Sequence, residues 1–370
     1  MWFVTQFTDE GRVFNAESIR GTIGTSWATE LRRCPARYAA RLSQAFTATE
    51  PSLVVEPDQV QRIQDIERNG YCFSDGNGLL SQSMADNIHD ALQDNSGRTG
   101  RSRHTPSVFQ IRIQGAKGVL SVDPTLDDLL ILLRPSMVKF ESASNHAIEV
   151  ARSFNKPGKF FLNRPLVMIL GGLGVDAKVF LKLQRDAVEA TQEASRSLKG
   201  AVSLCETHGL GNAFALPSIF SNLRKLGIDF EQDITPSGLR DPFMDRCMQF
   251  AVHHVLREIK FRARVPVPDS WKLVGIVDVH NILLPNQIYG ITIQDHVSRS
   301  LLMTFNLACL VRGEGAKPEY LQGRILISKS PTIHPGDVQM AEAIGTPPPG
   351  SPLHKLSNCV VFSQRGTQKF

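Results

Sequence analysis

A chain of 370 residues, 42% hydrophobic and 21% charged, has the composition of a globular protein and the length for two or three domains. Its formal charge of +5 tilts it towards polyanionic partners without defining one. The longest apolar run, Leu166 to Val175, is too short and glycine-broken to span a bilayer, so no membrane role is expected, and the start Met1-Trp-Phe-Val lacks a secretory signal. Six cysteines are scattered with no Cys-x-x-Cys pair. That argues against a zinc module and a disulfide framework and for a reducing intracellular compartment, nuclear or cytoplasmic.

Pro35 opens a helix in which Tyr38, Leu42 and Phe46 recur every four residues. Ser74-Asp-Gly-Asn-Gly78 reads as a tight turn, with a phosphate cradle as the alternative. Ser81 caps the next helix, with Met84, Ile88 and Leu92 on one stripe. From Asn95 to Val122 there is no acidic residue, while Arg98, Arg101, Arg103, Arg112 and Lys117 all fall there. A stretch of one sign either attracts phosphate or is a solvated loop. Phe109 to Gln114 alternates strictly and predicts a strand. Gly115-Ala-Lys-Gly118 then turns it into Val119 to Val122, setting Lys117 at the tip of a hairpin. Arg134 and Lys139 follow on an extended, proline-containing segment. There they contact phosphate, or Lys139 pairs with Glu141.

The middle is helical. Val179 to Leu198 predicts one long helix with Phe180, Leu183, Ala187, Ala190 and Ala194 on its apolar stripe. Asp241 caps and Pro242 starts a second, carrying Met244, Met248, Ala251 and Val255. Short β runs follow at Leu273 to Val277, Tyr289 to Ile293, Ile325 to Ile327 and Cys359 to Phe362. Lys329 stands where one of these strands ends, and His334-Pro-Gly-Asp337 makes a rigid turn just after it. The pattern is α+β, with two β-rich ends around helices.

Taken in order, Pro35-Ala-Arg-Tyr-Ala-Ala-Arg41, Asp65-Ile-Glu-Arg-Asn-Gly-Tyr-Cys-Phe-Ser-Asp-Gly76, Gly115-Ala-Lys-Gly-Val-Leu120, Leu133-Arg-Pro-Ser-Met137, Leu162-Asn-Arg-Pro-Leu166, His334-Pro-Gly-Asp-Val338 and Asn358-Cys-Val-Val-Phe-Ser-Gln-Arg-Gly366 resemble the catalytic region of the eukaryotic cellular RNA-dependent RNA polymerases of RNA silencing. The resemblance covers nearly the whole chain and is weakest between about residues 200 and 265. It implies a double-psi β-barrel polymerase core: a lead-in over 1–70, a first barrel over 71–170, a helical connector over 171–268 and a second barrel over 269–370. It implies RNA template and product, ribonucleoside triphosphates and other RNA-silencing proteins as partners, and Mg2+ as cofactor. Lys117 corresponds to a lysine near the incoming nucleotide's phosphates, and Lys329 to an arginine beside its sugar. Arg112, Arg134, Lys139, His334 and Asp337 are the further candidates for nucleotide or RNA contact. In this family a strand like Cys359 to Ser363 leads into an Asp-x-Asp-Gly-Asp loop that holds the metal, and that motif does not occur in these 370 residues. The expectation is therefore an inactive piece of the polymerase with its second barrel cut short. A non-catalytic RNA-binding paralogue is the alternative.

Overall fold

The computed structural model describes residues 5–9, 11–18, 33–42, 49–96, 104–139, 146–211, 214–225, 234–235, 238–239, 242–293 and 318–366. The basic residues Arg98, Arg101 and Arg103, the capping Asp241, and the end of the expected first helix at Phe46 lie outside them. A seven-stranded sheet is built from β1 (Glu50–Val54), β2 (Val60–Arg62), β3 (Asn77–Leu80), β4 (Val108–Ile113), β5 (Ala116–Val122), β6 (Ile131–Leu133) and β7 (Ala147–Ser153). Their order is β1-β7-β4-β5-β3-β6-β2. β3 runs parallel to β5 and β6 parallel to β2, while the remaining neighbours are antiparallel. Helix α1 (Gln82–Ser96) covers this sheet. Ser81 Oγ accepts from the Met84 N–H at 3.2 Å as its cap. Met84, Ile88 and Leu92 then pack on Phe109, Ile111 and Ile113, the faces that the helical and alternating periodicities select.

The helical unit comprises α2 (Arg164–Gly172), α3 (Ala177–Glu193), α4 (Leu198–His208), α5 (Leu216–Lys225) and α6 (Pro242–Arg262). The single helix expected across Val179 to Leu198 is two. A 3-10 turn at Ala194–Arg196 ends α3, and Ser197, in extended conformation, caps α4 by accepting from Gly200 N–H. A serine three residues before a glycine is a better N-cap than helix interior, and capping overrides the periodicity. The buried row on α3 accordingly drifts from Ala187 to Thr191 and Ala194, leaving Ala190 exposed. In α6, Met244, Met248 and Val255 are buried as expected.

Strands β8 (Gly158–Phe161) and β9 (Pro266–Lys272) pair across the entrance and exit of the helical unit. The second sheet contains β10 (Val274–Val277), β11 (Gln287–Ile293), β12 (Pro318–Tyr320), β13 (Gln322–Ser328), β14 (Val338–Ile344) and β15 (Cys359–Phe362). Its order is β10-β15-β11-β14-β13, with β12 on β11, and β10/β15 and β11/β14 are parallel. The first sheet takes its strands from residues 50–153, so it starts well before residue 71. The helical core likewise begins at Leu162 and Leu166, ahead of residue 171.

Two glycines in the first sheet permit a backbone crossing that no side chain fits. A Cβ on Gly118 would lie 2.3 Å from the Gly76 carbonyl oxygen, and one on Gly78 2.4 Å from that of Leu132. The same Gly76 carbonyl accepts from the Val119 N–H at 2.8 Å.

The two β units meet along a seam that is part apolar and part polar. Val108, Val119 and Phe154 of the first join Ile276, Leu283, Tyr289 and Leu353 of the second in one hydrophobic cluster. Around it, Asn77 Oδ1 accepts from Val277 N–H at 2.9 Å, and His280 Nε2 lies 3.0 Å from Asp123 Oδ1. Ser107 meets Ser357 at 3.0 Å, and Asn358 donates to the Asn155 carbonyl at 2.8 Å. Asp278 belongs to this seam and is 1% exposed. Its Oδ2 accepts from Leu283 N–H at 2.7 Å, and its Oδ1 is buried without a partner. Beside it Ser121, Pro124, His280 and Leu353 line a cavity of about 20 Å³, room for one water.

Substitution of Gly118 by Ala should cost about 1–3 kcal/mol, because backbone rather than a flexible side-chain end must yield. Gly171→Ala, where nothing lies within 4 Å of the new methyl, should instead stabilise helix α2 by about 0.5–1 kcal/mol. Urea unfolding of the two variants distinguishes them, and equal effects would refute the crossing argument.

Asp278 gives a pH signature of fixed sign. Burial pushes its carboxyl above the ordinary value, against the pull of the Leu283 and Ile282 N–H groups and of His280 and Arg365. In the window between the unfolded value, about 3.9, and the raised folded value, the folded state keeps a proton that the unfolded state has lost. Stability therefore falls as pH rises through that window and is flat above it. Relative to Asp278→Asn, the wild type should lose stability across this window. A difference that is constant with pH, or rises with it, overturns the assignment.

Candidate nucleic-acid interface

The β4–β5 connection is a two-residue turn, Gln114-Gly115, with φ of 47° and 77°. It is not the four-residue turn expected at Gly115–Gly118, because two consecutive left-handed residues already match the twist of the strands. Lys117 therefore belongs to β5, directly opposite Arg112. Ile113/Ala116 closes the turn as the hydrogen-bonded pair. Arg112/Lys117 is then a non-hydrogen-bonded pair, with Cα atoms about 4.5 Å apart. Alternation puts both cations on the face that carries Val108 and Val119, which packs against the second unit. Like charges directly opposite one another destabilise a sheet by roughly 0.2–1 kcal/mol.

On the other side of Arg112, β7 presents Glu149, whose Oε2 accepts from Thr49 Oγ1 at 3.1 Å. Burial draws the Arg112 guanidinium below its ordinary value while Glu149 works the other way. Arg112 Nε is buried without a partner. Lys139 lies near the same turn. Its N–H donates to the Gly115 carbonyl at 3.0 Å, and its ammonium donates to the Ser136 carbonyl. Glu141 lies outside the described residues.

Arg134 departs from the expectation of a phosphate contact. It is 4% exposed, and its guanidinium donates to the backbone carbonyls of Asn77, at 2.9 Å, and Gln64. A buried fork satisfied by main-chain carbonyls clamps the segments of residues 64 and 77 together. Beside it Asp65 accepts from Ser74 Oγ and Ser136 Oγ, each at 2.7 Å, and from Ser136 N–H at 2.8 Å. Burial alone would raise the Asp65 carboxyl, but these hydrogen bonds bring it below the usual range. Ser136 Oγ in turn accepts from Gly76 N–H at 3.0 Å. The glycine motif is thus a turn with its amide engaged, and not a phosphate cradle. The Asp65–Ser136 and Glu149–Arg112 pairings are not legible in local sequence, since the partners lie tens of residues apart.

Lys329, His334 and Asp337 share one turn between β13 and β14. Asp337 Oδ1 lies 3.0 Å from Lys329 Nζ, and Oδ2 accepts from the N–H groups of Ile333 and His334 at 2.9 and 2.8 Å. Those two amides and the lysine hold the Asp337 carboxyl down at about 2. Both oxygens of Asp337 thus serve the turn. His334 Nδ1 accepts from Gly336 N–H at 3.0 Å, so the imidazole caps the turn. Lys117 stands on a strand of the first sheet and Lys329 in a turn of the second. The described residues do not fit a magnesium site, since no three of His, Cys, Asp or Glu among them come together. Nor, among them, is any helix long and apolar enough to cross a membrane.

A family model described as RNA dependent RNA polymerase matches residues 1–370. The chain is 31% identical over 350 residues to a probable RNA-dependent RNA polymerase 1 of Oryza sativa, covering 92% of this chain and 41% of that protein. It is 30% identical to RNA-dependent RNA polymerase 1 of Arabidopsis thaliana, over 90% of this chain and 26% of the relative. Against RNA-dependent RNA polymerase 1 of Schizosaccharomyces pombe it is 26% identical, over 97% and 28%. The solved RNA dependent RNA polymerase QDE-1 from Thielavia terrestris superposes with a TM-score of 0.61 at 19% identity, covering 88% of this chain and 35% of that one. That likeness is one of fold, the α+β double-psi polymerase core. The chain spans less than half the length of these relatives, and it belongs to the RNA-dependent RNA polymerase family.

Proposed function

We propose that this chain supplies part of the nucleotide- and RNA-facing wall of an enzyme that copies RNA into double-stranded RNA for silencing, from ribonucleoside triphosphates. The observation that carries the proposal is the Arg112/Lys117 pair. Two cations placed opposite each other cost stability in the free protein, and an anion between them offsets that cost. Their face of β4 and β5 continues the one that docks on the second unit, so an anion held there lies beside the inter-barrel region. The roles we assign are phosphate contact for Lys117, with Arg112 beside it, and contact with the nucleotide sugar for Lys329. Lys139 contributes charge near the same turn, and His334 shapes the loop that presents Lys329.

Phosphoryl transfer depends mainly on positioning and on charge offset along the triphosphate. Mg2+ supplies much of that charge offset in a polymerase, and its ligands are assigned to residues other than those described. Lys117 and Arg112 would orient the phosphates. The apolar cluster of Val108, Val119 and Phe154 with the second unit would keep bulk water from the adjoining seam. We assign the protein to the interior of the cell, in the nucleus or the cytoplasm, alongside other silencing proteins.

The test is the affinity of the chain for a short single-stranded RNA as a function of salt. Lys117→Ala and Arg112→Ala should each weaken binding regardless of RNA sequence. Each should also lower the slope of log K against log salt by about 0.7. Unchanged affinity and slope in both variants would remove this face from the RNA-binding surface.

A further inference from the structure

We propose that Asp337 is a positioning residue for Lys329. As a fixed internal counter-ion, it makes that lysine an oriented, charge-compensated hydrogen-bond donor instead of a free point charge. The inference rests on the reading of Lys329 as a nucleotide- or RNA-facing group and adds how that group works. A lysine ammonium normally sweeps a wide volume on four rotatable bonds. Here one of its three donors is on Asp337 Oδ1 at 3.0 Å. The carboxylate cannot turn away, because Oδ2 is held by the amides of Ile333 and His334. The loop is closed again by its backbone. Lys329 N–H donates to the Asp337 carbonyl at 3.2 Å, and Thr332 Oγ1 donates to the Lys329 carbonyl at 2.7 Å.

The lysine side chain remains 64% exposed, so the pair is open to a ligand. An ion pair that exposed adds little to stability, which leaves orientation and charge as its principal effects. Two donors of the ammonium stay available, and among the described residues no other side chain is bonded to it. Their net electrostatic pull on a distant phosphate is cancelled by the carboxylate beside them. A contact made by such a group depends on geometry and only weakly on salt.

The experiment is a double-mutant cycle read in two ways. Removing both partners together, Lys329→Ala with Asp337→Asn, leaves the net charge of the pair unchanged and should weaken binding of a short single-stranded RNA several-fold relative to the wild type without changing the salt slope. In the Asp337→Asn background the lysine is an uncompensated cation, and Lys329→Ala should then lower the slope by about 0.7. A slope loss of that size in the double variant relative to the wild type, or equal slopes in Asp337→Asn and the double variant, overturns the proposal. A merely structural Asp337 would change affinity without redistributing the salt dependence.

The second readout needs no RNA. Reductive methylation followed by mass spectrometry should modify Lys329 several-fold faster in Asp337→Asn than in the wild type, with the rate at Lys117 unchanged. Equal rates at Lys329 overturn the proposal, and a parallel rise at Lys117 assigns the effect to general loosening and overturns it too. If the wild type binds no RNA at all, the functional reading falls, and the methylation rates alone decide the role of Asp337.

Discussion

The rest of the first unit depends on how closely two strands cross. β3 and β5 run parallel, and at their entrance the Gly76 carbonyl sits where a Cβ on Gly118 would be, 2.3 Å away. The approach is held in place by the Val119 N–H on that same carbonyl. Glycine at 118 also lets Lys117 be followed at once by a residue with no side chain to crowd it. The clamp around Asp65, Ser74, Ser136 and Arg134 holds the other side of the crossing. Arg134 ties the Gln64 and Asn77 carbonyls together, and Ser136 takes the Gly76 amide. Backbone groups buried this deeply need partners, and here a motif rich in small polar residues supplies them.

From that crossing the constraint passes to the second unit through Asn77. Its amide donates to the Gly78 carbonyl and to Ser121 Oγ within the first sheet, and its oxygen accepts from Val277 N–H in β10. One buried side chain thus fixes the first sheet's turn and the placement of the second sheet's edge strand. The next residue after Val277 is Asp278, with its unpartnered oxygen, and β15 beside it leads to Arg365, which donates to Asn281 from both Nε and Nη2. Apolar contact supplies most of the attraction across the seam, while these directional bonds set its register. A hydrophobic seam alone would tolerate sliding, and the opposing residues would lose their alignment.

Much of this was legible in the sequence where the signal is local. Strict alternation from Phe109 to Gln114 marked β4, and the stripe Met84, Ile88, Leu92 marked the buried face of α1. What failed did so for physical reasons. β6 and β7 are short or interrupted by a register shift, and β14 reads Val-Gln-Met-Ala-Glu-Ala-Ile, whose Ala, Glu and Met are as suited to a helix as to a strand. Ser197 broke a helix that periodicity would have continued. Arg134 and Asp337 carry charges that looked available for a ligand, yet both are engaged by main-chain groups that only the fold brings near. Charge in a sequence says that a group exists. Whether it is free is a property of the tertiary structure.

That distinction separates the two lysines assigned to the nucleotide side. Lys117 faces another cation across the strand pair, and the acidic neighbour in that row, Glu149, lies beyond Arg112 and not beside Lys117. Lys329 sits against a carboxylate that is ionised at any ordinary pH. A triphosphate is reached over a distance by net charge, which favours the Arg112 and Lys117 pair, two cations against the single carboxylate of Glu149. A neutral hydroxyl or carbonyl is recognised only at contact, where direction matters and net charge would invite the wrong partner. Arginine achieves that direction with its planar fork, and a lysine lacking the fork achieves it when a neighbour fixes the ammonium. Asp337 occupies that place, so a lysine at 329, where the resemblance implies an arginine, is compatible with directional recognition as long as the His334–Asp337 turn keeps its shape.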